Sequence, residues 1–255
     1  SIIQSLFMRG VALDQVWDES ERFSKILQQI GSQEQLGAIK AVRQAILNLR
    51  GETNSSHCFN DVNFDEEVFT KSLKKYGCRH IAHYYFINKI QCLYRQGHYP
   101  KALEMSLYSA NYLKDSTGML HSVDHYFYTA LTLAMLHSQA NHWQRYRWLK
   151  KLKWTEKKLI KWSKRCSENF LARQYLISGE IHRLQGSKMK ALGYYEKANQ
   201  IAESYGQLHL QALANDLAAH LYDSMGQPRL ARFYRQQAEI FKQRWGVRTA
   251  PQSPP

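Results

Sequence analysis

Two histidine pairs are the first residues of this 255-residue chain to suggest chemistry. His121 and His125 stand four apart, a spacing that places two imidazoles on one helix face as zinc ligands require, with Asp124 beside them. The sequence places no third ligand near them, so the pair reads as helix surface or groove, and His80 with His83 reads the same way. Of the four cysteines, Cys58 follows His57 in a polar stretch and is the best candidate for a reactive thiol, although sequence neighbours usually point apart. Cys92 shares an apolar stripe with Ile87, Ile90 and Leu93, which predicts a buried structural thiol. With Cys78 and Cys166 added there is still no CxxC pair, so neither a zinc ribbon nor a disulfide framework is indicated. There is no GxxxxGK[ST] loop for a nucleotide and no HExxH for zinc. No catalytic, metal or cofactor site assembles, and the chain reads as non-enzymatic.

The strongest chemical signal is electrostatic. The formal net charge is +14, and it is unevenly spread. Residues 1–70 hold six Lys/Arg against ten Asp/Glu, whereas residues 141–165 hold ten against one. The stretch His142–Arg165 also contains four of the six tryptophans. Trp148, Leu152, Leu159 and Trp162 fall on helical steps and can face neighbouring helices, leaving the lysines outside. Three readings follow: a repeat helix with core tryptophans and solvated lysines, a docking face for an acidic partner domain, or a surface for nucleic acid or anionic lipid. The candidate contact residues are Arg145, Arg147, Lys150, Lys151, Lys157, Lys158, Lys161 and Lys164.

The elements that must carry this surface are helices. Apolar residues recur at three- and four-residue steps, with no sustained alternation of period two. Five prolines and 13 glycines are too few for a turn-rich β-sandwich or barrel, and 44% hydrophobic with 22% charged residues fits a folded chain. No apolar run approaches the ~18 residues of a membrane span. Leu13, Val16, Trp17, Phe23, Ile26, Leu27 and Ile30 trace one helix stopped by Gly31, and Leu36 to Leu49 trace a second closed by Gly51. Residues 52–63 form the longest candidate loop, after which Asn63 or Asp65 can cap a helix opening with Glu66 and Glu67. Ser1 reads as lying within a helix with no signal peptide before it, which suggests a segment of a longer, cytosolic polypeptide.

From residue 80 the punctuation becomes regular. Gly97 with Pro100, Gly186 with Ser187 as cap, and Gly226 with Pro228 each mark a helix, a short turn and a second helix. Five residues after these glycines come Ala102, Ala191 and Ala231, and twelve after come Ser109, Ala198 and Ala238. Seven before the last two come Gly179 and Ala219. This small–large–small pattern resembles the tetratricopeptide repeat, stretched from ~34 to about 40 residues. It implies an all-α, right-handed superhelix of antiparallel helix pairs over residues 1–248, clearest at 80–115, 170–205 and 210–246, with 249–255 as a flexible tail.

The run Ala212-Leu-Ala-Asn-Asp-Leu-Ala-Ala-His-Leu-Tyr222, followed by Gly226, Ala231, Tyr234, Ala238, Phe241 and Trp245-Gly246, is more specific. It resembles the last repeat of the helical segment in large bacterial signalling proteins, with in-order matches at Asn88-Lys89, Gly97–Leu103, Lys161-Trp162-Ser163, Gly179-Glu180 and Tyr194–Ala198. Asp216, Gln237 and Val247 depart from that pattern. Such proteins join a serine/threonine-kinase-like domain, a STAND-type ATPase, this helical segment, a GAF sensor and a histidine kinase or cyclase output. The resemblance implies a regulatory connector whose partners are other domains of the same polypeptide or a signalling protein. The alternative is a nucleic-acid-binding module using helix 142–165.

Overall fold

The computed structural model of the chain describes residues 2–116 and 121–248; the tail at 249–255 lies outside them. The protein is all-α, with twelve α-helices and no strand among the described residues. In order they are α1 (Ile2–Arg9), α2 (Leu13–Ile30), α3 (Gln33–Leu49), α4 (Glu66–Lys75), α5 (Arg79–Arg95), α6 (Tyr99–Ala110), α7 (His121–Leu136), α8 (His142–Ser163), α9 (Ser167–Leu184), α10 (Lys188–Ser204), α11 (Leu208–Ser224) and α12 (Pro228–Trp245). No helix of the described residues is long and apolar enough to cross a membrane.

One turn is used repeatedly. At Gly186 the glycine N–H reaches Arg183 O at 3.1 Å and the Ser187 N–H reaches His182 O at 2.9 Å, a Schellman closure that needs a left-handed residue. Gly186 supplies it at φ 80°, where a side chain would be strained. The same pair of bonds closes the helices before Gly97 and Gly226, and also before Gly77 and Gly206, two turns that the proline and cap pattern does not mark. Gly186, Gly206 and Gly226 are therefore 20 residues apart, and the 40-residue repeat is two equal helix-turn steps. Ser187 does stand at an N-cap, but its hydroxyl makes no capping bond, because the backbone turn alone sets that helix start. Asp65 does cap α4, its Oδ1 accepting from the Val68 N–H at 2.8 Å.

By its contacts the chain forms two compact units. The described residues of Ser1–Met8, Ala12–Thr132 and Gly246–Pro255 make the first, and Arg9–Val11 with Leu133–Trp245 make the second.

In the first unit α5 is the central helix, with α3, α4, α6 and the 3-10 turn Leu113–Ser116 packed against it, and α2 packed on α3. Every residue from Ile81 to Tyr94 is buried, so a polar side chain there costs stability unless it finds a partner inside. Asn88 exchanges two hydrogen bonds with Gln4, at 2.9 and 3.2 Å. Residues 52–65 form an ordered loop, in which Asn48 Nδ2 donates to Thr53 Oγ1 at 2.9 Å and to Cys58 O at 3.0 Å.

In the second unit each of α8 to α12 packs on the next, and α9 also touches α11. That order is consistent with stacked helix pairs. Ala191, Ala198, Ala219, Ala231 and Ala238 are buried there, as Ala102 and Ser109 are in the first unit. Small side chains at these crossings let helix axes approach closely. At the crossing of α9 on α10 the fit is close. A Cβ on Gly179 would lie 2.4 Å from Tyr195 Cε1, so only glycine admits the ring. With the ring there, the Tyr195 hydroxyl donates to the fully buried Glu180, which Arg183 clasps through both carboxylate oxygens at 2.9 and 2.6 Å.

Candidate binding surface on the basic helix

Helix α8 begins with a capping box. Asn141 Oδ1 accepts from the Gln144 N–H at 2.9 Å, and Gln144 Oε1 accepts from the Asn141 N–H at 3.1 Å. Its inner side is Leu152, Thr155 and Leu159, all buried, with Trp148 and Trp162 half-buried on the flanks. The one carboxylate of the helix, Glu156, turns toward α9 and accepts from the Ser178 hydroxyl at 2.6 Å. Burial is thus confined to a narrow stripe, and α9 is its neighbour among the long helices of the unit.

The opposite side is where the sequence expectation changes. Core positions for the tryptophans hold in part at Trp148 and Trp162, but Trp143 is 64% exposed and Trp154 39%. Trp143, Arg147, Lys150, Trp154, Lys157, Lys161 and Lys164 alternate by steps of four and three, which places them along one outward stripe. All seven are exposed. Tyr146, 54% exposed, stacks beside Trp143 with centroids 6.2 Å apart, and Lys150 Nζ lies 5.5 Å from the Tyr146 ring. Lys151 and Lys158 flank Trp154 with ammonium groups 4.5 and 4.3 Å from its centroid. Burial, and then the charge of Lys158, pulls the Lys151 pKa down. Arg145 has a structural task, since its guanidinium donates to His137 O at 3.1 Å and Ser138 O at 2.6 Å.

The histidines lie elsewhere than expected. His121 and His125 are not helix surface, being 3% exposed each, and His83 is fully buried. The His83 ring centroid is 5.0 Å from that of His121 and 6.0 Å from that of His125, so α5 and α7 bring three imidazoles together. His125 Nδ1 pairs with Ser109 Oγ at 2.9 Å. Burial and the neighbouring His83 push the His121 pKa down to about 3, so the ring is neutral at pH 7. No group of three His, Cys, Asp or Glu suited to a metal ion occurs among the described residues. His80, half-exposed, instead faces Glu34 at 3.3 Å.

An ion pair between buried Lys89 and half-buried Glu66 had no sequence signal of its own. Lys89 Nζ meets Glu66 Oε1 at 2.6 Å, the Tyr85 hydroxyl donates to the same oxygen, and the Phe59 N–H donates to Oε2 at 3.0 Å. Burial alone would raise the Glu66 pKa, but the Lys89 charge and these donors outweigh it and hold the carboxyl below its ordinary value. Lys89 also sits 4.2 Å over the Phe59 ring. Cys92 is fully buried, and burial lifts its thiol to about 12, so it is inert at neutral pH. Cys58 Sγ accepts from Ser55 Oγ at 3.1 Å. These groups tie the loop 52–65 and α4 to α5.

No protein-family model, curated protein or solved structure matches the chain.

Proposed function

We propose that this chain is a helical-repeat scaffold that works by binding and not by catalysis, and that the outward stripe of α8 is where an anionic partner docks. The observation that carries this reading is the composition of that stripe. Five basic and two aromatic side chains share one exposed face, while the single acidic residue of the helix is occupied on the other side. Such a face attracts a negative partner from a distance and holds it through charge-assisted contacts. The resemblance of residues 212–246 to the helical segment of multidomain signalling proteins supplies the setting. There the scaffold lies among other domains of the same polypeptide or against a signalling protein, and occupancy of α8 by an anionic partner biases which arrangement of domains is populated.

The test is a titration of the chain with a fluorescent oligo-glutamate peptide and with labelled heparin, repeated on the Lys150→Glu/Lys157→Glu/Lys161→Glu variant. Saturable binding at low salt, lost in the variant while its helical circular dichroism is unchanged, supports the docking face. Equal binding by both proteins, or none by either, ends it.

A further inference from the structure

We infer that the ligand of the α8 stripe is a single-stranded nucleic acid, its phosphates on the basic side chains and its bases on the exposed rings. The inference rests on the docking-face reading and goes on to the chemistry of the ligand. Rings that anchor a protein partner cluster in apolar pockets at the centre of an interface, where charged side chains are depleted. The rings here lie within the cationic stripe: Trp143 at its start with Tyr146 stacked beside it, and Trp154 midway, before Lys157 and Lys161. A nucleic-acid strand presents the same alternation, charged phosphate and flat base, and every base has a face that can stack.

The dimensions agree. From Trp143 to Lys164 the helix rises about 32 Å at ~1.5 Å per residue, a run that several nucleotides can follow. Trp143, 64% exposed, has free ring surface on which a base can lie. A membrane surface fits less well. A helix lying in a lipid interface inserts an apolar face, and the apolar face of α8, Leu152 with Leu159, is already buried in the fold. Duplex fits less well too, because its bases are stacked on each other and offer the rings nothing.

The experiment measures fluorescence anisotropy of a labelled 20-nucleotide oligo-dT and an oligo-U of the same length. The comparison probes are a duplex of equal length, heparin, the oligo-glutamate peptide and phosphatidylserine vesicles. The expected result is tightest binding to the single strands. Five basic contacts at about 0.7 per phosphate give a log–log salt slope near −3.5, roughly a hundredfold loss between 50 and 200 mM salt. Trp143→Ala, at an exposed position, weakens the single strands by about fivefold or more and leaves heparin binding unchanged. If Trp143→Ala and Trp154→Ala alter neither, or if duplex or vesicles bind more tightly, the nucleic-acid assignment is overturned while the docking face stands. Binding of the oligo-glutamate peptide with no binding of oligo-dT or oligo-U overturns it in the same way. If no anionic probe binds, both fail together.

Discussion

At the scale of single residues, the protein's sharpest device is His121, an imidazole held neutral by burial beside two others. His83, His121 and His125 are buried together between α5 and α7, and His121 is held near a pKa of 3 by burial first and His83 second. The consequence for stability has a definite sign. The unfolded chain binds a proton on His121 below its ordinary value of 6.5, whereas the folded chain refuses it until about 3. The stabilising difference is therefore complete above pH 6.5 and declines as pH falls from there toward 3, by up to about 1.4 kcal/mol per pH unit for this one group. Urea midpoints measured at pH 7, 6 and 5 should fall steadily, in a range where most carboxylates have not begun to titrate. His121→Phe should flatten that slope. A stability that stays level down to pH 5 in the wild-type chain would contradict the buried neutral ring. None of this was readable from the i, i+4 spacing, because spacing says that two histidines share a face and not where the face points. A better signal was present in α5, whose apolar and aromatic residues between Ile81 and Tyr94 fall on every side of the helix and leave no wholly polar face. A helix with no polar face is packed all round, and its polar residues His83, Asn88, Lys89 and Gln91 must be inside with it.

At the scale of elements, most of the helices end in the same glycine turn, and much of this was legible. Gly97, Gly186 and Gly226 announced their turns, since a left-handed residue after a helical stripe has few alternatives to glycine. Gly77 and Gly206 use the same closure but were obscured, because no proline or capping residue follows them. The small residues at fixed offsets have a physical cause that coordinates make explicit at one crossing. Gly179 lies beneath the Tyr195 ring, whose hydroxyl then reaches Glu180. Gly179→Ala should therefore destabilise the chain by about 1–3 kcal/mol, although alanine is the better helix former. Thermal unfolding checks this directly; an unchanged or raised melting temperature would show that the ring moves aside at no cost. In α8 the inward stripe was legible through Leu152 and Leu159, and the outward one was not. Tryptophan is read as core by default, so Trp143 and Trp154 concealed a surface that only their exposure reveals.

At the scale of the whole molecule, charge and fold answer different questions. A net charge of +14 states that the chain attracts anions and says nothing about where. The fold localises that attraction, because ten of the cations fall in residues 141–165 and helical geometry sets five of them, Arg147, Lys150, Lys157, Lys161 and Lys164, in line with two rings. The central claim is about location, so the most direct measurement is one that reports on each lysine separately. Brief acetylation with an N-hydroxysuccinimide ester, read by mass spectrometry with and without saturating heparin, compares all exposed lysines in one experiment. Ligand binding should strongly protect Lys150, Lys157, Lys161 and Lys164, with Lys25, Lys40 and Lys71 labelled as before. Uniform protection of all lysines, or protection that spares α8, would contradict a docking face on this helix.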